Sequence, residues 1–253
     1  MEKYTVLTYN TGGYELLHEI KEKSPNAEYL YITDDPNIKS ETWRVIYEPN
    51  LSGGTFDKCF QIRYNPWKYA STDIVLRVDG SMGLDRSFDN IIQAFINGEY
   101  DICVTSHPTR QNIFDEYVAW IKHRKYPIEH AQKIVDFLVK TENYNVKAED
   151  GLFQYNFMIQ RKNRFNETLN SLTYSFLKYL APEDDTIERM DQTIGTFIIN
   201  KYFGHGKIMF LSTTNLMNQG YFSWYLHGTD TPMVPGEDVQ PKFQGKTVDF
   251  SLF

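Results

Sequence analysis

Asp79 closes the run Asp73-Ile-Val-Leu-Arg-Val-Asp79 and is followed by Gly80-Ser81. A carboxylate emerging from a buried strand beside a glycine can bind a ribose hydroxyl, or a divalent cation bridging two phosphates, because hard cations take oxygen ligands. It can equally cap the turn that follows. Asn10-Thr11-Gly12-Gly13 would let backbone N–H groups reach a nucleotide, yet it matches neither G-x-G-x-x-G nor G-x-x-x-x-G-K-[ST]. Neither a dinucleotide enzyme nor a P-loop enzyme is supported. Asp34 and Asp35 could accept a base N–H or a ribose hydroxyl, although Asp-Asp-Pro is also a common turn. Lys58, Arg63 and Lys68 are the obvious counter-charge for phosphate, Arg especially through bidentate bonding; the alternative is a solvated basic face.

His107-Pro108-Thr109-Arg110, followed by Phe114-Asp115-Glu116-Tyr117, brings an imidazole, a guanidinium and two carboxylates into one stretch. His107 and Arg110 could hold a substrate and Glu116 could work in acid/base chemistry, against a structural role for the histidine. Arg189-Met190-Asp191-Gln192 opens a helical pattern. Asp191 is either a carboxylate aimed into a cleft or a charge favoured by the helix N-terminus. His227-Gly228, after the aromatic run Tyr221 to Tyr225, could give a nitrogen ligand to a cation or a diphosphate; His18, His123, His130 and His205 have no comparable company. No Ser/Cys–His pairing carries a recognisable motif.

These residues need elements to position them. Lys3 to Tyr9, Ala27 to Thr33, Thr42 to Tyr47, Asp73 to Val78 and Tyr100 to Thr105 read as strands. Tyr14 to Glu22 and Ser87 to Asn97 read as helices, the second with Phe88, Ile91, Ile92, Phe95 and Ile96 on one face and Asp85 or Ser87 as N-cap. Pro66 confines any helix within Lys58 to Tyr69 to its own first turn or its end. Alternating strands and helices predict an α/β domain with ligands at the carboxyl ends of the strands. Thr8 to Gly13, Thr33 to Asp35, Asp79 to Ser81 and Ser106 to Arg110 then share one rim. Beyond it, Asn112 to His123, Ile128 to Thr141, Asn166 to Leu180 and Asp191 to Tyr202 read as helices, with Pro127 between the first two. Leu152 to Gln160 and Lys207 to Leu211 read as strands. With no linker and no shift in composition, one continuous unit is expected over 1–253.

The 253 residues suffice for a full core, and 41% hydrophobic with 23% charged residues is ordinary for a globular chain. A formal charge of -7 disfavours nucleic acid and anionic membranes. No apolar run approaches a membrane span, and the N-terminus lacks the basic and apolar regions of a signal peptide, so a cytoplasmic protein is expected. Cys59 and Cys103 form no metal-type spacing and read as core residues. The 15% aromatic content exceeds what the core needs and leaves rings able to stack on bases or sugars, unless they are filler.

Taken in order, Tyr31-Ile-Thr-Asp-Asp-Pro-Asn, Trp43, the Lys/Arg–Tyr segment 58–69, Val78-Asp-Gly-Ser81, His107 with Arg110, Asp115-Glu116 and Arg189-Met-Asp191-Gln192 resemble the TOD/MUCI-like glycosyltransferase family over roughly residues 4 to 230. That family occurs in plants and in bacterial surface-polysaccharide clusters. The resemblance implies a GT-A fold: a Rossmann-like mixed sheet flanked by helices, with a nucleotide-binding half over about 1–110 and a more helical acceptor-binding half over about 111–253. It implies a nucleotide-diphosphate sugar, UDP-type, as donor and a glycan or lipid-linked acceptor, with peripheral membrane contact at most. The resemblance would turn Thr8, Tyr9, Asp34 and Arg63 to the nucleotide, put Asp79 at the metal motif, Asp191 near the acceptor and His227 near the diphosphate; the residues themselves add Asn10, Lys58, Gly80 and Ser81 to the expected donor side, His107 and Arg110 to the acceptor side, and Glu116 beside Asp191 as a catalytic carboxylate. Mn²⁺ or Mg²⁺ would sit on Asp79 and His227, but Ser81 replaces the second carboxylate of Asp-x-Asp, so Arg63 with Lys58 or Lys68 could neutralise the diphosphate instead. Two other readings stay open: a non-catalytic nucleotide- or sugar-binding protein of this fold, and a metal-dependent hydrolase of lipid amides or phosphoesters. The latter is an activity suggested for a plant relative, and it would need a His/Asp metal cluster that the sequence does not assemble.

Overall fold

Val6, Leu7, Leu30, Ile32, Ile74, Val75 and Leu76 are all buried, though neighbours along a strand point to opposite faces. Strands of that kind are stable only inside a sheet covered on both sides. The computed structural model, which describes residues 1–107, 109–122, 128–148, 151–180, 190–202 and 207–233, has such a sheet. Its strands are β1 (Tyr4–Asn10), β2 (Ala27–Thr33), β3 (Arg44–Tyr47), β4 (Ile74–Val78), β6 (Ile102–Ser106), β7 (Phe153–Arg161) and β8 (Ile208–Ser212), in the order β3-β2-β1-β4-β7-β6-β8. Only β7 runs against its neighbours, pairing antiparallel with both β4 and β6. Two short strands, β5 (Met82–Leu84) and β9 (Phe222–Trp224), form a separate antiparallel pair.

The helices are α1 (Thr55–Arg63), α2 (Asp89–Asn97), α3 (Ile113–Lys122), α4 (Ile128–Asp136), α5 (Arg164–Leu180), α6 (Met190–Tyr202) and α7 (Thr213–Asn218). Phe60, Ile113, Leu169, Ile194 and Phe197 pack with Val104 and Tyr155 of the sheet, so α1, α3, α5 and α6 cover one face. Ile91, Ile92 and Phe95 of α2 and Leu216 of α7 pack with Val6, Leu76 and Ile159 on the other. Burying these apolar faces is the main stabilising term, at roughly 25 cal/mol per Å².

Several sequence expectations are corrected. Tyr14 to Glu22 is not a helix: Asn10 and Glu15 exchange hydrogen bonds, while Ile20 N donates to Thr42 Oγ1, Lys21 N to Leu84 O, and Trp43 Nε1 to His18 O. The segment spends its polar groups on neighbours outside itself, which a local helix would forbid. Phe88, not Asp85 or Ser87, is the N-cap of α2, without a side-chain cap bond; Asp85 pairs with Lys21 at 2.6 Å instead. Lys58, Arg63 and Lys68 do not form one basic patch. Lys58 pairs with Asp34 and Lys68 with Glu48, both at 2.8 Å, while Arg63 points inward to other carboxylates. β5, α7 and β9 were not expected, being too short to show a period. Pro108, His123, Pro127, Arg189 and His205 lie outside the described residues.

Candidate functional site

The carboxyl ends of β1, β4 and β6 open into a cavity of about 480 Å³, within the usual range for a small-molecule site. The alternation of side chains explains its floor. Tyr9 of β1 and Val75, Arg77 and Asp79 along β4 fall on the face covered by α1, so Arg63, in the last turn of α1, meets Tyr9 and Asp79. Asp191, in the first turn of α6, closes on Arg63 from the other half of the chain. In the first half of β7 the register with β6 jumps, from Val104 opposite Met158 to Thr105 opposite Gln154. Such bulges re-aim side chains beside sites, and here Gln154, Tyr155 and Asn156 line the cavity.

Arg63 is the hub. Its Nη2 lies 2.7 Å from Asp79 Oδ1, its Nη1 is paired with Asp191 Oδ2, and its Nε donates to the Tyr9 hydroxyl. Burial would lower its pKa, but Tyr9 and Asp79 outweigh this and it is raised, so the guanidinium is charged throughout the working range. Burial pushes the Tyr9 hydroxyl up, making it a hydrogen-bonding group rather than an anion. Beneath them Arg77 is only 2% exposed; its Nη1 donates to the Arg63 carbonyl at 2.9 Å, its Nη2 meets Met158 Sδ, and its Nε has no hydrogen-bond partner.

A second polar group stands at the end of β6. The backbone N–H groups of Thr109 and Arg110 both donate to His107 Nδ1 at 3.1 Å, which leaves the ring proton on Nε2. Burial, then the Arg110 guanidinium, push the imidazole down to about 3, so His107 is neutral and offers a donor. Arg110 pairs with Glu116, which is 1% exposed in the first turn of α3. Cys59 also lines the cavity; burial pushes its thiol up to about 11 despite the Thr11 hydrogen bond, so it is not a thiolate nucleophile.

The remaining wall is a strap from Trp224 to Met233. Trp224 Nε1 donates to Ser81 Oγ at 3.1 Å, Tyr225 stacks on His18 at 4.1 Å, and Glu15 takes both His227 Nδ1 and the Gly228 N–H. Gly80 is also tightly packed: a Cβ there would sit 3.1 Å from the Tyr9 carbonyl and 3.0 Å from Glu15. Its smallness serves packing as well as access.

Of the residues expected at a site, Tyr9, Asn10, Arg63, Asp79, Gly80, His107, Arg110, Glu116, Asp191 and His227 all line this cavity. Thr8, Asp34, Lys58 and Ser81 do not. Thr8 is buried in β1, Ser81 is 0% exposed under Trp224, and Asp34 is held by Lys58 and the Gly12 N–H. Burial would raise the Asp34 carboxyl, but those hydrogen bonds bring it below its ordinary value. Sequence reasoning missed Tyr14, Glu15, Phe56, Phe60, Gln154, Asn156 and Gln192. Gln154 and Asn156 carried a usable signal, as amides inside a strand otherwise fit for a core.

The expected cation pair, Asp79 with His227, is not arranged as a metal site. Arg63 occupies the place between the Asp79 and Asp191 carboxylates, and Glu15 engages His227. Among the described residues no three His, Cys, Asp or Glu side chains converge. Fold and site together define a mixed α/β protein with a carboxylate-bearing cavity at the carboxyl edge of its sheet. Neither protein-family models nor curated proteins give a match to this chain.

Proposed function

We propose that the chain is a GT-A-type glycosyltransferase that moves a sugar from a nucleotide-diphosphate donor, UDP-type, to a glycan or lipid-linked acceptor. The observation that carries this reading is the meeting of Asp79, from the end of β4, with Asp191, from the start of α6, across Arg63 in one cavity. The sheet order, with one antiparallel strand beside the switch from β1 to β4, supports it, because ligands in open α/β sheets bind at such points. So does the order of motifs resembling the TOD/MUCI-like family.

In this reading Arg63 steadies the leaving diphosphate, and the aromatic walls Tyr14, Phe56 and Trp224 exclude water from the transfer. The acceptor oxygen bonds to the anomeric carbon as the bond from that carbon to phosphate breaks, the electron pair leaving with the diphosphate. In an inverting enzyme Asp191 receives the hydroxyl proton; in a retaining one it orients the sugar. The Nε2–H of neutral His107 and the guanidinium of Arg110 hold the acceptor.

Isothermal titration of UDP, run with and without Mn²⁺, tests the donor assignment: measurable binding is expected, and none in either condition overturns it. That both carboxylates are already engaged by Arg63 favours, as a second reading, a nucleotide-sugar-binding protein without turnover. Slow UDP-sugar hydrolysis that falls about ten- to a hundredfold in Asp191→Asn, the loss expected of one charged hydrogen bond, would decide against it.

A further inference from the structure

Three charged side chains, Arg63, Asp79 and Asp191, meet at the cavity floor, and a fourth, Arg77, lies buried beneath them; these four sum to zero. Asp79 and Asp191 supply two negative charges; Arg63 lies between them, and Arg77, two residues before Asp79 on β4, lies behind Arg63 with its Nη1 on the Arg63 carbonyl. Among the described residues no carboxylate pairs directly with Arg77, so its charge is not consumed by a partner of its own. Two guanidinium groups carry the charge of one divalent ion. Arg63 also has donors to spare. Of its five N–H groups, Tyr9, Asp79 and Asp191 take three, one on each nitrogen, which leaves two for phosphate oxygens. Elsewhere in the cavity Arg110 is paired with Glu116 and Glu15 with His227.

We infer that the cavity binds its diphosphate without a divalent cation, Arg63 contacting the phosphate oxygens and Arg77 supplying the second positive charge from beneath as a positioning residue. This rests on the nucleotide-diphosphate reading, and two probes separate the failures. Inorganic pyrophosphate reports on the arginine pair alone, while UDP also needs the nucleotide contacts. Guanidinium groups are untouched by chelators. Titration calorimetry on the full chain is therefore expected to give the same Kd for UDP and for pyrophosphate in EDTA as in Mn²⁺.

Arg63→Gln is expected to weaken both probes at least about tenfold in EDTA, as loss of one charge-assisted contact implies, with Arg63→Lys retaining part of the affinity. Arg77→Met is expected to weaken both and to make Mn²⁺ beneficial, with Arg77→Lys restoring Mn²⁺ independence, a pattern that a packing role would not give. Circular dichroism checks that each variant folds; where one does not, the metal dependence of the unaltered protein still decides. Binding of either probe only after Mn²⁺ is added overturns this inference and leaves the donor assignment standing. Pyrophosphate bound without metal while UDP is not bound overturns the nucleotide assignment alone, and no binding of either overturns both.

Discussion

His107 is kept neutral by burial and by Arg110, and that has a definite cost in acid. Its folded pKa, about 3, lies below the ordinary histidine value near 6.5. Stability is therefore fully present above about pH 6.5 and is lost as pH falls from there toward 3, because the unfolded chain binds a proton that the folded chain refuses. His107→Asn, whose amide oxygen can replace Nδ1 as acceptor for the Thr109 and Arg110 N–H groups, is expected to lose less stability than the unaltered protein between pH 7 and pH 5. Urea unfolding at the two pH values measures this; an equal loss in both proteins would refute it. Single residues also mark the limit of reading the sequence. Asp79, Arg63, Glu116 and Asp191 announced themselves by charge and by their place at the ends of strands and helices. Their pairing did not, since Arg63 and Asp191 are joined only by tertiary packing. Arg77 passed as part of an apolar run, although an arginine inside a buried strand is itself a signal.

Among the elements, α6 has to bring Asp191 close to the sheet, and Gly195 makes this possible. A Cβ at Gly195 would overlap the Tyr155 hydroxyl and ring, and both residues are buried against the sheet. Alanine is the better helix former by about 1 kcal/mol, but overpacking of this kind costs about 1–3 kcal/mol, so the clash wins. Gly195→Ala is expected to lower the urea midpoint and to weaken ligand binding by lifting Asp191 off Arg63; a raised midpoint would show that Tyr155 yields freely. Elements with a clear period, such as α2 with Ile91, Ile92 and Phe95 inward, stood out in the sequence for the same physical reason that they fold: one stripe must be buried. Tyr14 to Glu22 misled because its apolar residues mimic that stripe while Gly12 and Gly13, both at positive φ, turn the chain into contacts made across space. β5 and β9, three residues each, exist only because they pair with one another.

At the level of the molecule, the sheet does not divide where the composition of helices changes. β7 pairs with β4 on one side and with β6 on the other, so the strands of the first hundred residues and those of the later chain share one hydrogen-bonded ladder. A single calorimetric unfolding transition is expected, with probes near Trp43 and near Trp224 reporting the same midpoint. Two separated transitions would show that the halves are independent. No helix among the described residues is long and apolar enough to cross a membrane.

The antiparallel insertion of β7 also sets the order in which the protein can be built. Ile74 has Tyr4 of β1 on one side but must wait for Arg161 on the other, and Val104 must wait for Met158. During synthesis β4 and β6 are thus bare apolar edges for the time needed to translate the intervening chain, and closing so wide a gap is slow. The ligand cavity is finished later still, when Asp191 emerges to meet Arg63. Until β7 is made, those two edges are the places where a nascent chain of this design can pair wrongly.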